Sequence, residues 1–382
     1  MKTNSFHLIA FDIPFPADYG GVMDVFYKIK ALKAEGFDVI LHCFQYRERA
    51  PQAELERHCQ KVYYYKRQMT PLSILGKKPY IVASRQSPEL LKNLMKDDFP
   101  IIFEGLHTCA FINNAALKNR FKIVRMHNVE WEYYQNLKSL ETSYFKKLYF
   151  KTESYKLKKY EINVLKNANC VLTISPDDQF YFENLIEKLN ISNCELAYIP
   201  PFHPNSEVES KTGTGKYVLF HGKLSVSDNE QAALYLIKKI FSTKQMPLII
   251  AGKDPSALLI EAAKPYDFIK VIANPDETEM NDLIQNAQIN VLLSFQRSGM
   301  KLKLLNALYR GRFCVANQQM IQNTGLESLC YVKNTSKELA ATIESLMNVQ
   351  FSQKQITDRK DILEKSFSNV QTAVKIAKIL RG

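Results

Sequence analysis

Between Ser298 and Gly311 the chain reads Ser-Gly-Met-Lys-Leu-Lys-Leu-Leu-Asn-Ala-Leu-Tyr-Arg-Gly, which sets two lysines just past a glycine. Met300, Leu304, Leu305 and Leu308 recur at helical spacing and predict a helix from Gly299 to Gly311. Ile289 to Phe295, just before it, is short, branched and apolar, as a buried parallel strand is. A helix that begins at the carboxyl end of such a strand favours anions, because its first N–H groups and its dipole both attract negative charge. Gly299 lets backbone approach a ligand, Lys301 and Lys303 add positive charge, and Lys303 and Asn306 share one helix face. A diphosphate beside Lys303 and a sugar hydroxyl beside Asn306 suit that arrangement. The same pattern also suits an ordinary sheet-covering helix with solvated lysines.

Three further stretches carry polar groups where such folds keep ligands. Gly20-Gly21 opens a helix predicted through Ala34, after a first strand at His7–Phe11, and offers a second anion-friendly turn. Ile101-Ile102-Phe103 runs into Glu104-Gly105-Leu106-His107, and Lys122 to Met126 runs into His127-Asn128-Val129-Glu130. Each places a histidine and a glutamate beyond a strand end. A histidine there is as readily structural as chemical.

Strand, helix and strand alternate across both halves of the chain, which predicts an α/β protein with parallel sheets. The 382 residues suit two domains. The proline-rich turn Ile199 to Pro204 and the polar run after it place the boundary, giving domains at 1–204 and 205–366 and a C-terminal helix at 367–382 that packs back on the first domain. Tyr46 to Phe99 reads as irregular, apart from a short strand at Tyr63-Tyr64-Tyr65. Thr212-Gly213-Thr214-Gly215-Lys216 lacks the first glycine and the final Ser or Thr of a phosphate-binding P-loop and precedes a strand, so that reading fails. Leu140 to Leu165 is one long basic helix with interleaved aromatics, which suits either an anionic membrane surface or a solvated face with rings packed inward.

A composition of 46% hydrophobic and 24% charged residues is globular. The seven cysteines are scattered and never spaced C-x-x-C, which argues for reduced thiols in the cytoplasm and against a zinc site. No secretory signal and no membrane-length apolar run is present. The net charge of +12 attracts polyanions without choosing among them, and no basic recognition motif supports nucleic acid.

In order, the Pro-x-x-x-Gly-Gly turn (Pro16 to Gly21), Arg125 to Glu130, Thr173 to Ser175, His221 to Ser225, Ile250 to Lys253 and the Ser298 to Gly311 stretch resemble the retaining glycosyltransferases of family four, of the GT-B fold. The resemblance implies two Rossmann-like domains facing a cleft, the second holding a nucleotide-diphosphate sugar and the first a glycan or lipid-linked acceptor. It implies a transfer in bacterial surface polysaccharide or lipopolysaccharide synthesis, by a cytoplasmic enzyme that can sit peripherally on the inner face of the membrane. It places His127 against the donor sugar and Lys223 and Lys303 on the diphosphate as the catalytic groups. Gly20, Gly21, Ser298, Gly299, Met300, Lys301 and Asn306 then fall on the donor, and Glu104, His107, Asn128 and Glu130 on the acceptor. Ser298 and Asn306 stand where the family has a pair of glutamates. No cofactor and no metal is implied, and no D-x-D triplet is present. A GT-B nucleotide-sugar epimerase and an inactive GT-B scaffold are the alternatives.

Overall fold

The computed structural model describes residues 4–46, 49–295 and 302–382. The chain divides into two compact units, Met1–Pro204 with Asn369–Gly382, and Asn205–Ser368.

Among its described residues the first unit is built on a parallel sheet of β1 (Ser5–Ala10), β2 (Asp38–Gln45), β3 (Lys61–Lys66), β4 (Ile101–Glu104), β5 (Lys122–Arg125), β6 (Cys170–Thr173) and β7 (Glu195–Tyr198). The order across the sheet is β3-β2-β1-β4-β5-β6-β7. His7 pairs with Ile40 on one side and Ile101 on the other, so β1 is central. Helices cover both faces, and the inner strands are therefore continuous apolar runs such as Ile101-Ile102-Phe103, fully buried. The second unit repeats the plan with β8 (Val218–His221), β9 (Leu248–Gly252), β10 (Ile269–Ala273), β11 (Ile289–Leu292), β12 (Phe313–Ala316) and β13 (Tyr331–Val332). Its order is β10-β9-β8-β11-β12-β13, again parallel. Both units are Rossmann-like, and each sheet reverses its direction of growth once, between β1 and β4 and between β8 and β11.

The helices that matter for the site are α1 (Gly20–Ala34), α2 (Glu130–Leu140), α3 (Tyr144–Asn167), α4 (Ser227–Leu236) and α5 (Leu302–Arg310). The C-terminal helix Asn369–Arg381 lies in the first unit, where Ala373, Ile376 and Ala377 join the core that Ile29 and Leu32 of α1 build. Arg381 donates to the Glu35 carbonyl at 3.1 Å and lies over the Phe37 ring.

Several elements differ from expectation. The long basic helix expected over Leu140 to Leu165 is α3, but it starts at Tyr144 and not at Leu140, because the Glu141 carboxylate accepts the Thr142 and Ser143 N–H groups at 2.9 and 3.0 Å and so separates it from α2. The helix α4 continues beyond Leu236 into a wider turn, the π-helix Ile237–Phe241. Tyr46 to Phe99 is not irregular: it holds all of β3 and a helix, Pro88–Leu94, capped by the Ser87 hydroxyl. Of the helix expected from Gly299, the described part is α5, whose last turn passes into Gly311, whose N–H bonds the Ala307 carbonyl at 2.8 Å.

Candidate functional site

In the first unit the chemistry gathers at the carboxyl ends of β1, β4 and β5, beside the point where strand order reverses. No side chain caps the first turn of α1, since Tyr19, in the capping position, donates its hydroxyl to Asp12 at 2.7 Å. Gly20 and Gly21 therefore head a helix with an open first turn, which suits an anion. A Cβ at Gly21 would stand 2.7 Å from the Phe11 ring, so glycine is what admits that ring. Phe11 lies between two imidazoles, with centroids 5.4 Å from both His107 and His127. Gly105 turns the chain between them at a φ of +68°, and a Cβ there would come within 3.0 Å of His107 Nδ1.

Beneath the histidines lies a buried ionic cluster. Lys28 Nζ bonds Asp24 at 3.0 Å and Glu104 at 2.7 Å. Arg125 grips both oxygens of Asp24 at 3.1 and 3.2 Å and donates to the Thr173 and Pro200 carbonyls. The Phe202 N–H also reaches Asp24, at 2.8 Å. The other Glu104 oxygen meets His127 Nε2 at 3.0 Å. Burial, the largest single influence, pushes Asp24 up, but Arg125 and then Lys28 outweigh it and hold the carboxyl far below the carboxylate range. Glu104 is likewise held down against its burial by Lys28 and His127. Among the described residues, Asp24, Glu104 and His127 bring ligand atoms within 4.8 Å of one another, close enough to hold a metal ion. The fit is poor, because every one of those carboxylate oxygens already accepts a hydrogen bond from Lys28, Arg125, Phe202 or His127.

Glu104 and Glu130, expected at the acceptor, are 0% and 3% exposed and face inward instead. Glu130 Oε1 lies 4.0 Å from His107 Nδ1, an atom that is buried and has no hydrogen-bond partner among the described residues. Burial pushes Glu130 up to about 7, against the pull of Asn128 and Arg85. Burial, then Arg85 and His127, drive His107 well below its usual value, so it is neutral at physiological pH. A carboxyl raised from 4.5 to about 7 favours folding while protonated, and that contribution is lost as pH rises through 7. Glu130→Gln is therefore expected to stabilise the protein at pH 8 by on the order of 3 kcal/mol and to have little effect at pH 4. Thermal melts at the two pH values measure it, and equal shifts at both would contradict it.

In the second unit the polar groups gather at the ends of β8 and β11. Lys303, on the first turn of the described part of α5, is half-buried and not solvated, donating to Asn229 Oδ1 at 2.7 Å and to the Leu293 carbonyl at 3.3 Å. Its ammonium lies 5.3 Å from the Phe220 ring centre. Asn229 in turn donates to the Lys223 carbonyl at 2.9 Å, tying the turn after β8 to α5. Asp228, buried, accepts the Ser294 hydroxyl at 2.8 Å and the Phe295 N–H at 2.7 Å, and Asn317 holds the Ser294 backbone from the other side. The two loops at the reversal point are thus fixed to one another. His221 is buried with Nε2 unpartnered among the described residues, and burial, with Lys303 beside it, lowers it to about 3. Asn306 accepts the Asn205 amide at 2.9 Å. Ser298, Gly299, Met300 and Lys301 lie outside the described residues.

The structure thus brings Gly20, Gly21, Glu104, His107, His127 and Glu130 together in the first unit, with Asn128 half-buried beside Glu130. In the second unit it brings Lys303 to Asn229, which also holds the main-chain carbonyl of Lys223. Sequence reasoning missed Asp24, Lys28 and Arg85. Arg125, closing an otherwise apolar strand, was the available signal, since a buried charge needs partners. Arg85 donates to the Phe11 carbonyl at 2.9 Å from a stretch that showed no chemical pattern.

Residues 215–348, which hold Lys223, Asn229 and Lys303, match the family described as glycosyl transferases group 1. A Klebsiella pneumoniae protein known as an uncharacterized 44.6 kDa protein in a cps region is 27% identical over 95% of both chains. Sucrose-phosphate synthase from Thermosynechococcus elongatus has a similar structure, with a TM-score of 0.69 over 99% of this chain and 98% of that one at 14% identity. The Anabaena protein HepE, solved with UDP and glucose, aligns at a TM-score of 0.64 over 98% and 99% at 13% identity. The two parallel sheets and these likenesses establish the GT-B fold, and with the domain match they support a GT-B glycosyltransferase.

Proposed function

We propose that the protein transfers a sugar, with retention, from a nucleotide-diphosphate sugar to a glycan or lipid-linked acceptor in bacterial surface polysaccharide or lipopolysaccharide synthesis. The observation that carries this is the Lys223–Asn229–Lys303 arrangement at the reversal point of the second sheet, inside the residues that match group 1 glycosyl transferases. Cleavage of an anomeric C–O bond leaves negative charge on a diphosphate, and fixed cations stabilise that charge without reorganising. Lys223 and Lys303 take this role in the second unit, and in the first unit the open Gly20-Gly21 turn offers N–H donors to an anionic group of the donor. His127, oriented by Glu104, contacts the donor sugar. His107 and Asn128 face the acceptor, and Glu130 sets the state of His107. Asn306 and Ser298 bond hydroxyls of the donor, while Gly299, Met300 and Lys301 complete its loop. The Klebsiella relative's cps region favours polysaccharide as the product class.

Thermal-shift titration against UDP, GDP, ADP and CMP tests the reading, because a ligand bound only by the native state raises the melting temperature. At a concentration 100 times its Kd the matching nucleotide should add about 2.7 kcal/mol. Binding and transfer should both survive excess EDTA, since the lysines supply the charge. Loss of both, restored by magnesium or manganese, would assign the diphosphate to a metal instead. A second reading, an epimerase of the nucleotide sugar, is favoured by the two carboxylate–imidazole pairs, Glu104–His127 and Glu130–His107. Incubation with nucleotide sugar alone separates them: isomerisation without acceptor belongs to the epimerase. NMR of the product's anomeric proton tests retention, and an inverted product would make His127 the base that deprotonates the acceptor.

A further inference from the structure

One face of the first unit leaves large apolar side chains in water. On α3, Tyr144, Leu148, Lys151 and Tyr155 fall at positions i, i+4, i+7 and i+11 and so form one stripe. Tyr144 is 74% exposed, Tyr155 62%, and Phe145, beside the stripe, 81%. The opposite face of the same helix is ordinary core: Leu157, Tyr160 and Val164 are buried, and the Tyr160 hydroxyl donates to the Cys109 carbonyl at 2.7 Å. The outward stripe is therefore not needed to hold the helix in place. A second element with an exposed apolar side chain packs beside the same helix. Lys156 Nζ donates to the Ile74 carbonyl at 2.5 Å, and Glu153 accepts the Tyr80 N–H at 2.6 Å, which fixes the loop between them against α3. At the tip of that loop Leu75 is 84% exposed and Lys77 is exposed next to it.

Charge decides what such a face meets. α3 carries seven lysines against two glutamates, and both glutamates are buried. Glu153 is already paired with Lys156 at 2.8 Å. Lys158 lies over the Trp131 ring and Lys159 over Tyr155, while Lys146 reaches Glu141 at 3.7 Å. Among the described residues Lys147, Lys151 and Lys77 make no ion pair. A protein partner of ordinary composition would match the apolar stripe alone. A layer that is apolar inside and negative at its surface matches the rings and the lysines together: aromatic side chains settle at the interface and lysines reach the headgroups. Among the described residues no helix is long and apolar enough to cross a membrane, so contact by this face is peripheral.

We infer that the Leu75 loop tip and the Tyr144–Tyr155 face of α3 dock the protein on an anionic lipid bilayer. Docking is jointly apolar and electrostatic, and it belongs to the first unit's surface, not to the polar groups at the strand ends. It does not rest on the glycosyltransferase reading.

Cosedimentation of the full chain with vesicles tests it, using phosphatidylcholine alone and phosphatidylcholine mixed with phosphatidylglycerol. Binding is expected only to the mixed vesicles and should fall as salt rises. Lys147→Ala with Lys151→Ala should lower partitioning roughly 30-fold, which is the about 2 kcal/mol that two lysines contribute near such a surface. Phe145→Ser with Leu75→Ser should also release the protein, even at low salt. Trp131 fluorescence confirms that each variant is folded. The inference is overturned if the wild type ignores anionic vesicles at low ionic strength, or if both double variants bind as well as wild type. It is also overturned if random duplex DNA displaces the vesicles by binding the same lysines, or if the apolar variant abolishes a dimer instead of lipid binding.

Discussion

Lys303→Ala should lower turnover at saturating donor by roughly 100- to 1,000-fold, the about 3 to 4 kcal/mol that a donor aimed at a developing negative charge contributes to the barrier. The stability cost should be far smaller. Its ammonium bonds Asn229 and the Leu293 carbonyl from a half-buried position, and losing those two hydrogen bonds costs about 1 to 2 kcal/mol. The imbalance between the two effects is the signature of a group that acts on the diphosphate. Asn229→Ala supplies the comparison. It leaves the Lys303 charge but removes the link to Lys303 and to the Lys223 carbonyl, so the cation is less well placed. That variant should raise KM and lose less turnover than Lys303→Ala. Steady-state kinetics with melting curves on the two proteins measure both effects. Near-normal turnover in Lys303→Ala would remove this lysine from the mechanism, and equal losses in the two variants would make it a positioning residue only.

How far the fold is legible in the sequence follows from how each element is stabilised. Val39 to Phe44 and Ile289 to Leu292 stand out because a parallel strand covered on both faces is mostly apolar, with His42 and Asn290 as buried polar exceptions. Gly20-Gly21 stands out because few sequences place two glycines at a helix start. The end of α2 at Leu140 does not stand out, since it depends on one carboxylate choosing two particular N–H groups over solvent. The buried ion cluster is hidden for a different reason. Asp24 and Lys28 look like a solvated i, i+4 pair, and the residues that draw them inside, Glu104 and Arg125, are distant in sequence. Glu104 and Glu130 were recognisable as site residues by position beyond strand ends, but their burial, and so the difference between touching a ligand and holding a histidine, depends on Lys28 and Arg85 packing from elsewhere. Lys303 illustrates the same limit: its place at a helix start is local information, whereas its bond to Asn229 is not.

The largest stability effect is expected at Lys28. Its side chain is fully buried and is the cation that Glu104 faces, so Lys28→Met leaves a carboxylate in the core with only His127 beside it. Breaking one partner out of a buried ionic group costs about 3 to 5 kcal/mol, and that is the expected loss. Trp131 is the single tryptophan and lies in the first unit, bonded to the Tyr181 hydroxyl at 2.8 Å, so its fluorescence in urea follows this unit alone. Lys28→Met combined with Glu104→Gln removes one charge of each sign and keeps the Asp24–Arg125 pair, so the double variant should recover much of the loss. Recovery would show that the single variant suffers from an unpaired charge and not from the shape of the methionine. The pH dependence has a definite sign. Asp24 and Glu104 are held below their unfolded values, so their stabilisation is fully present above about 4.5 and is lost as pH falls through their lower folded values. Wild type should therefore keep the unit folded well into acid. In Lys28→Met the Glu104 carboxyl loses the cation that holds it down, and the unit should weaken as pH rises toward neutrality instead. A Lys28→Met variant with the wild-type urea midpoint at pH 7 would mean that water or a shifted side chain takes over the role of the ammonium, and Glu104 would then be free to act on more than the position of His127.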